Sequence, residues 1–395
     1  MSNRNMGFFS KKHGIFELII LVFLISIFNH LTYVVATDIQ LHAQFIKSYA
    51  DGQIPFQVNF MYYFTVYALS FYSSDLILIL FVSIYVLAAL TYFKYYVVKK
   101  IVYSEIEGSA KNPVVVSSLA AFSLLVCFSL PSILFLDNIY YLANFPANIW
   151  HNSTIIFAMP FVVMLFWVSL KQISEYKHTR TLAIIFLIAL NIVIKPSFIF
   201  VYVIAFPLIN LLRFKFGRHF WLNLIPVVAA FIFVILQYYY VFISAETITT
   251  QSSVKIHFFN VLAHWTGSTH WYQILFIVLS TVISSYLFPL VFLTRNRGLL
   301  KQDMVLFAVF CAVIGLLIFY ALSETGAREF DGNFIWQTFM CSFLLFFVCI
   351  VQLLKSIFDN PLGWKAYKIE IIAFSLHLIS GIYYFYRLIS LDTYN

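Results

Sequence analysis

The sequence is short of charge and of cysteine. Only 10% of its 395 residues are Asp, Glu, Lys or Arg, against roughly a quarter in an ordinary soluble domain. So few charged groups could not cover a water-soluble globule of this size, and that class is excluded. The four cysteines, Cys127, Cys311, Cys341 and Cys349, all fall inside apolar runs, which excludes a disulfide framework or a zinc knuckle. No glycine-rich phosphate loop, dinucleotide fingerprint or convincing internal repeat is present, and no stretch is polar enough for a separate soluble domain. The net charge of +8 is spread over short loops rather than gathered on a water-exposed face, so no nucleic-acid partner is expected.

What the chain does have is apolar bulk. It is 62% hydrophobic, with 46 Phe and 26 Tyr, and its mean hydropathy is +0.91. Apolar runs of roughly 20 residues recur from end to end, the length a bilayer crossing needs. This predicts an all-α polytopic membrane protein, a single transmembrane domain over 1–395, embedded in a lipid bilayer. Membrane helices are expected near 14–37, 75–97, 114–135, 153–170, 180–194, 197–212, 220–243, 272–294, 304–323, 335–356 and 370–390. With a cytoplasmic N-terminus, the segments between spans alternate sides. Nineteen of the 24 Lys and Arg then fall on the cytoplasmic side. The other five, Lys47, Lys195, Lys255, Arg328 and Arg387, fall outside, an imbalance that fixes orientation. No small-residue cleavage site follows the first run, which reads as a retained helix.

The stretch from Phe60 to Phe71 is apolar but short for a crossing. Residues 38–74 therefore read as a long first outer loop carrying interfacial helices, with Tyr62, Tyr63, Tyr67 and Tyr72 at headgroup depth. A second outer loop is expected over 244–271.

Charged and polar residues beside such runs are the informative ones, and four clusters stand out. In the first, Asp38 can cap a short helix and place His42, four residues on, on the same face. Asp38 at this depth can serve as a general base; a plain cap with a surface histidine is the alternative. The second holds Asp137 and the run Asn148, Ile149, Trp150, His151, Asn152, Ser153, Thr154. Amides, an imidazole and an indole can hold a polyhydroxyl ligand; the alternative is an interfacial aromatic anchor with a helix cap. The third is Lys195-Pro196-Ser197, a cation at a turn that can reach a phosphate or simply snorkel to the interface. The fourth runs from Glu324 to Trp336, with Arg328, Asp331 and Asn333 inside it. Arg328 could grip a phosphate there with Glu324 or Asp331 orienting it; the alternative is a self-contained salt-bridged turn. Glu17 and His377 are isolated and read as polar residues satisfied within the bundle. Glu246, Lys255, His257, His264, Trp265 and His270 make the second outer loop polar enough for a lid, but its histidines lack metal-ligand spacing, so no divalent metal and no other cofactor is expected.

The stretch Asp38-Ile39-Gln40-Leu41-His42 through Gly52-Gln53-Ile54-Pro55 to the Tyr-rich segment, following an outward-running first helix, resembles the GT-C superfamily of membrane glycosyltransferases. The runs from Asn148 to Thr154 and from Glu324 to Trp336 also look like bacterial polysaccharide-locus membrane proteins. The resemblance implies a plasma-membrane enzyme of cell-envelope polysaccharide biosynthesis with its active site on the outer face. It implies transfer of a sugar from a polyprenyl-phosphate-linked donor to a glycan or lipid acceptor. Asp38, with His42 beside it, would take the acceptor proton, while Arg328 and Lys195 would hold the donor phosphate. The remaining candidates, Asp137, Asn148, Trp150, His151, Asn152, Glu324, Asp331, Asn333 and Trp336, would bind substrate. No second acid adjoins Asp38 and no soluble C-terminal domain follows, which argues against protein O-mannosylation and oligosaccharyl transfer to asparagine. A transporter or flippase of lipid-linked sugars, and a polysaccharide polymerase or ligase, are the competing readings.

Overall fold

The structure is a computed structural model and describes residues 11–56, 59–239 and 253–391. Arg4, Glu246, the end of the expected 220–243 span and the start of the 244–271 loop lie outside the described residues. The helices are α1 (Lys11–Tyr33), α2 (Asp38–Ala50), α3 (Met61–Leu69), α4 (Leu76–Ile106), α5 (Pro113–Val126), α6 (Ser153–Ser174) and α7 (His178–Ile194). They continue as α8 (Ser197–Phe214), α9 (Arg218–Tyr239), α10 (Asn260–Thr266), α11 (Trp271–Arg295), α12 (Asp303–Ala321), α13 (Trp336–Asp359) and α14 (Lys368–Ser390). Among the described residues, nine of these helices are long and apolar enough to cross a membrane, and α5 and α7 are shorter apolar helices. The chain is an all-α, multi-pass membrane protein.

One end of the bundle is marked by ion pairs: Glu105 with Lys355 at 2.8 Å and Lys171 at 3.7 Å, Arg295 with Glu370 at 2.8 Å, and Arg213 with Asp303 at 3.6 Å. Deeper in the bundle, Glu17 of α1 takes Lys99 and the hydroxyls of Tyr92 and Tyr95 of α4. Helix α13 is the axis. Every residue from Gln337 to Leu353 is buried, and the first charged residue of the helix is Lys355 near its end. Around it stand α4, α8, α11 and α12, while α1 lies at the rim with Leu18, Ile19 and Val22 more than half exposed toward lipid.

The expected helix over 114–135 ends early. Helix α5 stops at Val126, and the chain from Cys127 continues without helical structure to a 3-10 turn at Ile133–Asp137. Bare backbone inside a bundle needs partners, and distant helices supply them. Phe128 N–H donates to the His377 carbonyl at 3.0 Å, the Phe128 carbonyl meets His377 Nδ1 at 2.7 Å, Ser380 Oγ donates to the Ser129 carbonyl at 2.6 Å, and Leu130 N–H donates to the Ser284 carbonyl at 3.0 Å. Gly381 makes the crossing possible: a Cβ there would lie 1.8 Å from the Val126 carbonyl oxygen.

At the end opposite the ion pairs, two short helices, α2 and α3, pack on α4. A two-stranded antiparallel ladder joins β1 (Val254–Ile256) to β2 (Leu322–Glu324), with Lys255 opposite Ser323. It ties the 253–271 segment to the 322–336 segment as one cover over this end.

Candidate functional site

Helices α2, α6, α8 and α13 all begin at this end of the bundle. Each brings unpaired backbone N–H groups and the positive end of its dipole, which favours an anion between them.

Asp38 is the first residue of α2 rather than its cap. Thr37 is the cap: its Oγ1 accepts from Ile39 N–H, and its own N–H donates to Gln40 Oε1 at 2.8 Å. Relieved of capping, the Asp38 carboxylate turns to α6, where Asn152 Nδ2 donates to its Oδ2 at 2.6 Å. Asn152 in turn caps α6, its Oδ1 accepting from Ile155 N–H at 3.1 Å and from Thr154 Oγ1 at 2.9 Å. Lys195, in the turn between α7 and α8, donates to Thr154 Oγ1 at 3.2 Å and stands 4.8 Å over the Trp336 ring. A directed hydrogen-bond chain thus links the lysine to the aspartate through Thr154 and Asn152. His151, next along, faces Trp336 with ring centroids 6.2 Å apart.

The electrostatics show how close these groups are. Burial lowers the Lys195 ammonium to about 8; Asp38 opposes that shift and Arg328 adds to it. Burial lowers His42 to about 4, against the pull of Asp38, and His151 is also lowered by burial, again with Asp38 opposing. His42 is packed against the rings of Tyr62 and Tyr63, and its Nδ1 is buried without a hydrogen-bond partner. Arg328 is half exposed at the mouth, 3.6 Å from Glu324 and 3.4 Å from Asp331. Asn333 Nδ2 donates to Glu324 at 2.6 Å and holds that carboxylate.

Asp38, Asn152, Lys195 and Trp336, far apart in sequence, are therefore linked by direct contacts, with His151 against Trp336 and His42 within electrostatic reach of Asp38; Arg328, held by Glu324 and Asp331, reaches Lys195 through its charge, and Asn333 holds Glu324. Three expected binding residues do not join them. Trp150 is buried in the core between Phe28 and Phe385, at centroid distances of 5.8 and 5.1 Å. Asn148 is bonded within the protein, in the wall of the pocket that His151 and Trp336 also line. Its Nδ2 donates to the Leu124 and Cys127 carbonyls, closing the open end of α5, and its Oδ1 accepts from the buried Lys94 at 2.8 Å. Asp137 is exposed at the end of the 3-10 turn, with no bond to the cluster.

The sequence marked the second outer loop, with Lys255, His264 and Trp265, as polar enough for a lid or acceptor surface, but not the contacts that hold it down. Trp265 of α10 donates from Nε1 to the Phe330 carbonyl at 2.9 Å, His264 stacks on the Phe330 ring at 3.7 Å, and Lys255 pairs with Glu329 at 2.7 Å. Gly332, at φ +70°, lies so close under Trp265 that a Cβ would come within 2.3 Å of the indole. Among the described residues, no three of His, Cys, Asp and Glu gather as metal ligands. In comparisons with known proteins, no family model and no curated relative matches the chain.

Proposed function

We propose that the chain is a membrane glycosyltransferase that moves a sugar from a polyprenyl-phosphate donor to a hydroxyl of a glycan or lipid acceptor on the outer face of the membrane. The carrying observation is the chain Lys195–Thr154–Asn152–Asp38, which ties a cation to a carboxylate at one end of the bundle, with the charge of Arg328 in reach of Lys195. A phosphate leaving group needs charge neutralisation, which Lys195, Arg328 and the helix N-termini supply. The acceptor needs a base, and Asp38 has one oxygen held by Asn152 and the other free to accept a proton. The acceptor oxygen bonds to the anomeric carbon as the carbon–phosphate oxygen bond breaks. The phosphate leaves with the electron pair, the proton passes to Asp38, and the anomeric centre inverts.

In this reading Asp38→Asn abolishes transfer of radiolabelled sugar from polyprenyl-phosphate donor while donor binding is retained. Lys195→Ala and Arg328→Ala weaken donor binding. Full turnover by Asp38→Asn would remove the base, and unchanged donor affinity in both cation variants would remove the phosphate site. A transporter reading draws support from the break after α5 and the buried Lys94, since interrupted helices and intramembrane charges mark transport paths. It predicts that Asp38→Asn proteoliposomes still move a lipid-linked sugar between leaflets.

A further inference from the structure

We infer that the cavity beneath the cover is a binding subsite for one uncharged hexopyranose ring; as the sugar subsite of the proposed transferase, this rests on that reading. The cavity has a volume of about 180 Å³ and lies between the non-helical 128–151 segment, the cover and the head of α13. A cavity of about 150 Å³ admits a six-membered ring such as benzene, so this one has room for a single substituted ring, with the rest of a larger glycan left outside its open side.

Its walls have the chemistry of a sugar site. Trp265, Trp336, Tyr141 and Tyr384 are among the lining residues, and aromatic rings suit the C–H side of a pyranose. Polar groups stand among them. Asp331 and His151 line the cavity and can bond to ring hydroxyls. The buried Tyr141 hydroxyl stands near Ser380 without forming a hydrogen bond, and Ser380 gives its own proton to the Ser129 carbonyl. An unspent buried hydroxyl carries a cost of about 1–3 kcal/mol that a ligand hydroxyl would relieve. No lysine or arginine is among the lining residues, whereas the carboxylate of Asp331 is. Among these lining residues that balance favours an uncharged ring over a uronic one. Two lining residues also tie the cavity to the charged cleft: Trp336 has Lys195 over its ring, and His151 feels Asp38. A ring seated here would therefore turn its leaving group toward Lys195 and Arg328.

The test is saturation-transfer NMR on the full chain in nanodiscs, using the methyl glycosides of glucose, galactose and mannose, methyl glucuronide and methyl maltoside. We expect transfer to at least one neutral monosaccharide, none to the glucuronide, and transfer to only one ring of the disaccharide. Ile149→Trp, which fills the cavity from its wall, abolishes the signal. Tyr141→Phe, which removes only the free hydroxyl, weakens binding about fivefold. The inference is overturned by no signal from any neutral ring, by an equal glucuronide signal, by equal saturation of both maltoside rings, or by wild-type binding in both variants. Repeating the titration in Asp38→Asn separates the two claims. Ring binding without any transferase activity in the wild type leaves the subsite and removes the enzyme. Asp38-dependent transfer without ring binding does the reverse.

Discussion

Gly381→Ala tests the break after α5, on which the shape of the cavity depends. The added Cβ would lie 1.8 Å from the Val126 carbonyl oxygen and 2.8 Å from its carbon. Both neighbours are backbone, so no rotamer can relieve the clash. Restoring an ordinary carbon–oxygen contact of about 3.2 Å moves α14 away from the 126–129 segment by about 1.4 Å. The 2.6 Å bond from Ser380 to Ser129 and the 2.7 Å bond from His377 to Phe128 would stretch to about 4 Å, beyond hydrogen-bond range. Each buried group left unpaired costs about 1–3 kcal/mol, for a total of about 4 kcal/mol. Gly315→Ala is the control, because its Cβ would meet nothing nearer than Thr338 Cα at 3.4 Å. Thermal unfolding in one detergent, followed by tryptophan fluorescence, should show Gly381→Ala melting well below wild type and Gly315→Ala close to it. Coincident melting of all three would refute the close crossing of α14 and α5.

Four further outcomes follow from the geometry. His42 is held near 4 by burial, so the unfolded chain binds its proton first. Stability from this group is complete above pH 6.5 and falls by up to about 3 kcal/mol as pH drops toward 4; denaturation across that window should lose this slope in His42→Phe. Lys195 is lowered to about 8, so binding of polyprenyl phosphate should weaken as pH rises through 8, and Lys195→Arg should remove that dependence. Lys94→Met should destabilise less than Asn148→Ala, because the methionine removes a buried charge whereas the alanine strands Lys94 and two carbonyls; urea-dependent proteolysis reads the order. Gly332→Ala, blocked by Trp265 and by a positive φ, should loosen the cover and shift Trp265 fluorescence toward the red.

The spans were legible because runs of Leu, Phe, Ile and Val can be solvated only by lipid or by one another. Which helix would be central was not. Lipid is as apolar as a protein core, so the run that became α13 and the run that became α1 carry no mark separating axis from rim. The break after Val126 was also hidden, since Cys127, Phe128 and Ser129 would suit a helix and the partners that stop it, His377, Ser380 and Ser284, lie about 150 to 250 residues away in the chain. The first, third and fourth polar clusters were visible as ionisable residues in poor solvent for charge, and the structure brings them together. The second splits: Asn152 and His151 face the cleft, while Asn148 and Trp150 turn inward, an alternation that the residue types alone do not dictate. Trp265 was visible only as one member of a polar loop, and Tyr141 left no signal in a chain already one-fifth aromatic.

Electron cryomicroscopy of the full chain in nanodiscs with bound polyprenyl-phosphate sugar tests the account most directly. It predicts phosphate density within hydrogen-bond reach of both Lys195 Nζ and the Arg328 guanidinium, with the sugar leading from there toward Trp336 and the anomeric carbon open to Asp38. Phosphate density elsewhere, with Lys195 still bonded only to Thr154 and Arg328 only to Glu324 and Asp331, would contradict it.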